Sequence, residues 1–249
     1  GLFGISAAIA VLPSFARQAA SADFTGLKKT FVFALNTVFF VTLPSMAGLI
    51  VLREPIVALL FQRGAFDAAA TQMTALALLY YAAGLWAFAS LRIVASVFYA
   101  LQDAVTPVRC AALSMLANLM LGLVLMQPMD HAGLALALSL AAILNLAILL
   151  ISLRRRLGLL GGKQILSSTC KTMFGTAIMA FGVWLASGPM RSGNPLIPGG
   201  RPIELIAVIG FGVLIYGLIA RWLHGGEFKN MLAFLRIRRY KSSSGVDEG

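Results

Sequence analysis

The chain has 249 residues, of which 59% are hydrophobic and only 12% are charged, and its formal net charge at pH 7 is +11. A mean hydropathy of +0.89 excludes an ordinary water-soluble globular domain. Basic and aromatic residues are not interleaved in the way that suits base stacking, so we expect a protein of the lipid bilayer with no nucleic-acid partner.

Long uncharged stretches, taken in chain order, predict an all-α membrane protein with seven transmembrane helices, because about 20 apolar residues cross a bilayer. We place the spans at residues 2–17, 30–52, 69–100, 107–126, 131–153, 170–188 and 203–221. Residues 1–223 would then form one transmembrane lobe, and residues 224–249 a basic cytoplasmic tail. The spacing of Ile56, Leu59, Leu60 and Phe66 predicts a short interfacial helix near residues 54–62.

The distribution of positive charge indicates which side of the membrane each connection occupies. Of 20 basic residues, 15 lie in one set of connections and 4 in the other, and Arg92 alone lies in or at the edge of a span. The positive-inside rule therefore places Gly249 in the cytoplasm and Gly1 outside. The first span has neither a charged n-region nor a cleavage site, so we expect it to be part of a longer protein rather than a signal peptide.

Several local features interrupt the apolar stretches. Pro13 and Pro44 lie inside predicted spans, where each breaks a helical hydrogen bond, either as a static packing kink or as a hinge around a cavity. Asp103 and Pro107 mark a turn, and residues 127–131 join two spans so tightly that these must be antiparallel neighbours. We expect residues 158–168 to form a loop.

Candidate functional groups are few. No acidic residue lies deep in a span, and no nucleophile and base are paired, so we expect no catalysis. Arg92 either extends to the headgroups or lines a cavity that receives a phosphate. Polar residues within spans either form interhelical hydrogen bonds or, for Asn118 and Ser139, hold a small cation; they are Asn36, Asn118, Ser139 and Asn145. Glycines in the last two spans either permit close packing or leave a groove for a lipid chain.

Four stretches of the sequence, taken together, are specific enough to indicate a family. They are GLFGISAAIAVLPSFARQAA, LPSMAGLIVLREPIVALLFQRGAFD, YYAAGLWAFASLRIVASVFYALQDAVTPVR and HAGLALALSLAAILNLAILLISLRRR. Over residues 1–156 the chain resembles the C-terminal half of the MurJ (MviN) lipid II flippases, a family of the multidrug/oligosaccharidyl-lipid/polysaccharide exporter superfamily. Beyond residue 157 the resemblance consists of two further spans and a basic tail.

This resemblance implies a fourteen-span transporter of two lobes, not an enzyme, of which the chain holds spans eight to fourteen. Such a protein moves undecaprenyl-pyrophosphate-linked disaccharide-pentapeptide from the inner to the outer leaflet of the bacterial cytoplasmic membrane by alternating access. Its partners are this substrate, membrane lipids and the N-terminal lobe, which carries most of the cavity arginines. The last two spans form a groove for the lipid tail.

Residue by residue, the resemblance aligns Arg92 with a basic position near the cytoplasmic end of the family's span ten. Arg92 and Asn118 are our candidates for the substrate cavity. Asp103, Thr106 and Pro107 match a D-x-x-T-P turn, and Gly64 and Phe66 match an F-x-x-G-x-F element. Some members bind sodium between the spans that correspond to four and five here, where Asn118 and Ser139 are candidate ligands, although Gly122 stands where a carboxylate would be wanted.

The resemblance implies no cofactor other than sodium or the membrane potential as driving force. The alternatives are an exporter of another polyprenyl-linked oligosaccharide and a membrane scaffold that does not transport.

Overall fold

A computed structural model gives the structure of residues 2–62, 66–188 and 201–223, and in these ranges every regular element is a helix. The helices are α1 (Leu2–Ala20), α2 (Phe24–Val51), α3 (Arg53–Phe61), α4 (Ala68–Ala83), α5 (Leu85–Ala100), α6 (Val105–Leu157), α7 (Gly162–Ala186) and α8 (Arg201–Leu223). The predicted all-α class is confirmed, and the predicted short helix near residues 54–62 is α3.

The 53-residue helix α6 is a hairpin of two arms, as predicted from residues 127–131. Asp130 has φ 49° and ψ −136°, which no helix accommodates. Gly122 lies against Leu134, and a Cβ on Gly133 would overlap the carbonyl of Leu125. A straight helix would separate the first pair by about 18 Å, so the chain must reverse at Asp130. We call residues 105–129 the first arm and residues 131–157 the second arm.

The predicted span 69–100 is not one continuous helix, because α4 ends at Ala83 and α5 begins at Leu85. The amide of Gly84 donates to Tyr81 at 3.2 Å instead of to Tyr80, four residues back. The hydroxyl of Ser139, on the second arm, donates to the free Tyr80 carbonyl at 2.6 Å. A Cβ on Gly84 would come within 3.0 Å of the Cα of Ser139, so only glycine allows this close contact.

Two other predicted boundaries shift. Helix α2 begins at Phe24 rather than at residue 30, because the carboxylate of Asp23 accepts from the Gly26 amide at 2.8 Å. The predicted loop 158–168 is wrong, since α7 begins at Gly162 and leaves only residues 158–161 as the connection. Gly158 and Gly161 have φ of +73° and +74°, which lets the chain turn sharply there.

The described helices suit a multi-pass membrane protein. Five of them are long and apolar enough to cross a bilayer, α4 and α5 being taken as one, and α6 supplies two arms. Helix α1 is not among the five, so the count of seven spans stays a prediction. Large apolar side chains on the first arm are exposed, including Met115, Leu116, Met120 and Val124. Such an apolar exterior suits lipid as the surrounding solvent.

The core lies around α5. Its largest fully buried side chains come from α1, α2, α5 and the second arm, and they are Phe15, Leu27, Phe31, Ile93, Phe98, Leu149 and Leu153. A smaller cluster joins the ends of α2 and α7 to α8 through Leu52, Met179, Val183, Leu205 and Val208. Helices α7 and α8 therefore attach to the rest of the lobe mainly through α2.

Candidate functional site

Arg92 lies on the exposed face of α5. Phe88 and Tyr99, four residues before and seven residues after Arg92, lie on the same face at helical spacing, and Tyr99 is exposed. The adjacent Ile93 is fully buried, and Tyr81, on α4, is exposed. Eight residues separate Arg92 from the end of α5 at Ala100, a distance of about 12 Å along the helix. Neither ion pair found among residues 2–62, 66–188 and 201–223 includes Arg92. Arg92 is thus an exposed cation that no described acidic residue neutralises, and it lies well before the end of α5 on a face that also carries aromatic residues.

The turn predicted from Asp103 and Pro107 is present and is held by three bonds. The carboxylate of Asp103 accepts from the Thr106 amide at 3.0 Å and from the Thr106 hydroxyl at 2.6 Å. Arg156, at the end of the second arm, forms an ion pair with Asp103 at 2.8 Å. These bonds, first of all that from the Thr106 hydroxyl, lower the pKa of Asp103. Pro107 is buried in the first turn of α6, where it costs no hydrogen bond.

An apolar groove of about 380 Å³ lies between the C-terminal half of α2 and helices α3, α7 and α8. Its wall on α2 includes Pro44 and Gly48, and its wall on α8 includes Gly212 and Tyr216. A Cβ on Gly48 would meet no atom within 4 Å, so the missing side chain leaves open space there. The sequence predicts either close packing or a lipid groove at the glycines of the last two spans, and of the two glycines in this lining Gly212 belongs to them.

Pro44 shapes this groove through a single carbonyl. Because proline has no amide hydrogen, the carbonyl of Phe40, four residues earlier, loses its helical donor. The hydroxyl of Tyr216 donates to that carbonyl at 2.8 Å, and the rings of Phe40 and Tyr216 are 5.1 Å apart. The proline position in α2 is therefore tied to α8, which favours a static packing role for Pro44. Pro13 lies inside α1, and its own side chain is exposed.

Other glycines of the last two spans serve close packing. A Cβ on Gly182 would come within 2.9 Å of Ile215, and one on Gly212 within 2.7 Å of Val183. Helices α7 and α8 therefore approach each other too closely for larger side chains at these positions. The packing alternative therefore holds at Gly182 and Gly212, whereas the open space in the groove comes from Gly48 on α2.

The hairpin register places Asn118 and Ser139 at the same depth. Ser139 is buried and its hydroxyl donates to the Tyr80 carbonyl, whereas Asn118 is only partly buried. The carbonyl oxygens of the Asn36 and Asn145 side chains are buried with no hydrogen-bond partner among the described residues. Interhelical hydrogen bonds through those two oxygens are therefore absent from this part of the chain.

Other predicted positions lie partly outside the described residues. Gly64 and the predicted tail 224–249 fall there, whereas Phe66 is described and its ring lies 6.1 Å from that of Phe61.

Sequence reasoning missed a second cavity, of about 760 Å³, between α2, α5, the second arm and the start of α7. The incorrect loop prediction for residues 158–168 concealed it, because the helical start of α7 forms one of its walls.

These features define a multi-pass, all-helical membrane protein with an apolar groove on its outer surface. The sequence profile of the family described as lipid II flippase MurJ matches residues 1–194, and the chain therefore belongs to the MurJ family, whose members are flippases and not enzymes.

Individual relatives agree with this assignment. A probable lipid II flippase MurJ of Vibrio cholerae serotype O1 is 36% identical over 149 residues, which are 60% of this chain and 28% of that protein. One from Rhizobium meliloti is 29% identical and covers 99% of this chain and 46% of its own length. A solved structure of lipid II flippase MurJ in the inward closed conformation has a TM-score of 0.73 and 26% identity, covering 90% of this chain and 44% of that one. The chain thus spans less than half the length of these relatives.

Proposed function

We propose that this chain forms one lobe of a flippase that moves lipid II, the lipid-linked peptidoglycan precursor, from the inner to the outer leaflet by alternating access. The observation that carries the proposal is the apolar groove between α2, α7 and α8, in a chain of the MurJ family. Groove walls of proline, glycine and aliphatic residues suit a polyprenyl chain, which offers no hydrogen bonds.

The headgroup presents the opposite physical problem. A pyrophosphate cannot enter about 30 Å of hydrocarbon without compensation, because burying an unpaired charge costs many kcal/mol. Arg92 is exposed on a face of α5 that also carries aromatic residues, and there it can meet a phosphate group. We infer that this face of α5 borders the passage and that its other wall is a second lobe, in keeping with relatives about twice as long. Rocking of two such lobes alternates the opening.

We propose further that the lobe lies in the bacterial cytoplasmic membrane with its C-terminus in the cytoplasm. The ion pair between Asp103 and Arg156 supports this, because it joins the α5–α6 connection to the three arginines that end α6. A hydrogen bond between Gln18 and Thr30 likewise joins α1 and α2 near Arg17, Lys28 and Lys29. The basic connections therefore cluster at one end of the helices, as the positive-inside rule requires of a cytoplasmic face.

Sodium or the membrane potential is our proposal for the driving force. The hydroxyl of Ser139 donates its proton to the Tyr80 carbonyl and retains lone pairs that could coordinate a cation, at the same depth as Asn118. Replacing sodium by potassium, with the membrane potential clamped, should slow lipid II movement if sodium is coupled. An unchanged rate would leave the membrane potential as the driving force.

Arg92 provides the first test of the function. In the full-length protein, Arg92→Ala should fail to support growth of a strain depleted of its own flippase, while Arg92→Lys should retain most activity because it keeps the charge. Arg155→Ala, an exposed arginine at the end of α6, is the matched control. Normal growth with Arg92→Ala at equal protein abundance would remove Arg92 from the passage.

The groove provides the second test. Gly48→Leu should fill the open space beside Pro44 and slow the appearance of lipid II in the outer leaflet, whereas Gly210→Leu should not. Gly210 is also on a helix, and a Cβ at this position would meet no atom within 4 Å, but Gly210 does not line the groove. Equal rates for the two variants would show that the groove does not hold the lipid tail.

A further inference from the structure

The cavity of about 760 Å³ lies at the opposite end of α2 from the groove. It contacts α2 at residues 31–39, while the groove begins at residue 40. Its interior is apolar and is formed by Phe31, Leu35, Phe39, Trp86, Leu146 and Leu150. A volume of this size is typical of ligand pockets, which span roughly 300–1,000 Å³.

The mouth of this cavity is cationic. Arg154, in the last turn of the second arm, and Lys163, in the first turn of α7, both line it and are both exposed. Asp103 neutralises Arg156, but within residues 2–62, 66–188 and 201–223 no carboxylate pairs with Arg154 or Lys163. Two uncompensated cations therefore stand at the edge of an apolar pocket.

The start of α7 brings Lys163 to the mouth. Gly161 adopts a left-handed conformation before the helix, and a Cβ there would come within 2.9 Å of Val32 on α2. Gly161, the N-cap of α7, has no side chain that could cap this end, so the first amide groups of α7 add positive potential to that of the two side chains. Glycine at position 161 thus lets the basic end of α7 close over the cavity.

We propose that this cavity is a binding site for one anionic glycerophospholipid, with an acyl chain in the apolar interior and the phosphate between Arg154 and Lys163. The charge of the mouth selects an anionic group. The lining also includes the exposed apolar residues Ile151 and Leu159, which favours a ligand that arrives from the bilayer rather than from water. Basic pockets between helices on the cytoplasmic side suit such headgroups. The site goes beyond the proposed transport of lipid II and requires only that the chain spans a membrane.

Trp86 lines the cavity and reports on its occupant directly. The other two tryptophans, Trp184 and Trp222, are exposed and can be replaced by phenylalanine. In nanodiscs of phosphatidylcholine, a small fraction of brominated phosphatidylglycerol should quench Trp86 much more than the same fraction of brominated phosphatidylcholine. Equal quenching by the two lipids would overturn the proposal.

Charge variants test the headgroup contact in the full chain. Since each basic residue at a membrane surface contributes about fivefold to anionic lipid affinity, Arg154→Gln with Lys163→Gln should raise the midpoint of the phosphatidylglycerol titration about 30-fold. The matched control, Arg155→Gln with Lys171→Gln, removes the same charge from the same two helices outside the cavity lining.

A charge-conserving variant and the control titration complete the test of the lipid site. Arg154→Lys with Lys163→Arg should keep the wild-type midpoint, which separates loss of charge from loss of folding. A midpoint that moves as far in the control as in the Arg154 and Lys163 variant would mean that phosphatidylglycerol responds only to overall charge, and the assigned site would be wrong.

Discussion

The bond between Tyr216 and Phe40 offers a sharp test of how α2 and α8 are held together. Tyr216→Phe removes the hydroxyl that donates to the Phe40 carbonyl at 2.8 Å. Because Pro44 has no amide hydrogen, that carbonyl lacks its usual helical donor. Hydrogen bonds contribute about 0.5–1.5 kcal/mol in proteins, and interhelical bonds in membranes reach about 1.7 kcal/mol. We therefore expect Tyr216→Phe to destabilise the protein by about 1–2 kcal/mol.

A second substitution isolates this bond. In Pro44→Ala, the new amide at position 44 can donate to the Phe40 carbonyl as in an ordinary helix. Tyr216→Phe should then cost much less in the Pro44→Ala background, giving a coupling of about 1 kcal/mol in a double-mutant cycle. The cycle is measured by equilibrium unfolding in mixed detergent micelles, followed by circular dichroism. Tyr99→Phe, at an exposed tyrosine on α5, is the control and should have little effect.

Equal costs of Tyr216→Phe in the two backgrounds would refute the reasoning. The Phe40 carbonyl would then not depend on Tyr216, and the kink at Pro44 would not be tied to α8. A large effect of Tyr99→Phe would show instead that the assay responds to any lost tyrosine hydroxyl.

Two further predictions concern the turn before α6 and the α4–α5 junction. Because hydrogen bonds and Arg156 lower the pKa of Asp103, its ionised form stabilises the fold above the ordinary aspartate pKa of about 3.9, and this stabilisation is lost as the pH falls through the lowered value. Asp103→Asn should thus melt at a lower temperature than wild type at pH 7, with the difference shrinking at acidic pH; equal melting temperatures at pH 7 would contradict this. Gly84→Ala should cost about 1–3 kcal/mol by overlap with Ser139. The control Gly210→Ala, in open space, should be nearly neutral in the same melts, and equal costs would mean that the contact is not tight.

Features that depend on residues close in sequence were predictable. A polar interruption between two apolar stretches is enough to indicate the hairpin, and the structure places the reversal at Asp130. Asp103, Thr106 and Pro107 form their turn through contacts within five residues, so the motif alone describes it. The positions where a helix loses a hydrogen bond were also readable, because proline lacks an amide wherever it stands.

Features that depend on contacts distant in sequence were not predictable. The donor to the Phe40 carbonyl, Tyr216, is 176 residues away in sequence. The hydroxyl that donates to the Tyr80 carbonyl, that of Ser139, is 59 residues away. Nothing in the apolar stretch around Gly84 indicates that a helix ends there. The cavity closed by Lys163 was likewise hidden, because glycine and serine at the start of α7 favour a loop until α7 packs against α2.

The tight reversal at Asp130 also has a consequence for how the chain enters the membrane during synthesis. Each arm of α6 is long enough to cross the bilayer, and the turn between the arms exposes only Asp130 and His131 as ionisable groups. Carrying two such groups to the far side costs far less than carrying a long polar segment. The two arms can therefore insert together as one hairpin, before the helices on either side have packed against them.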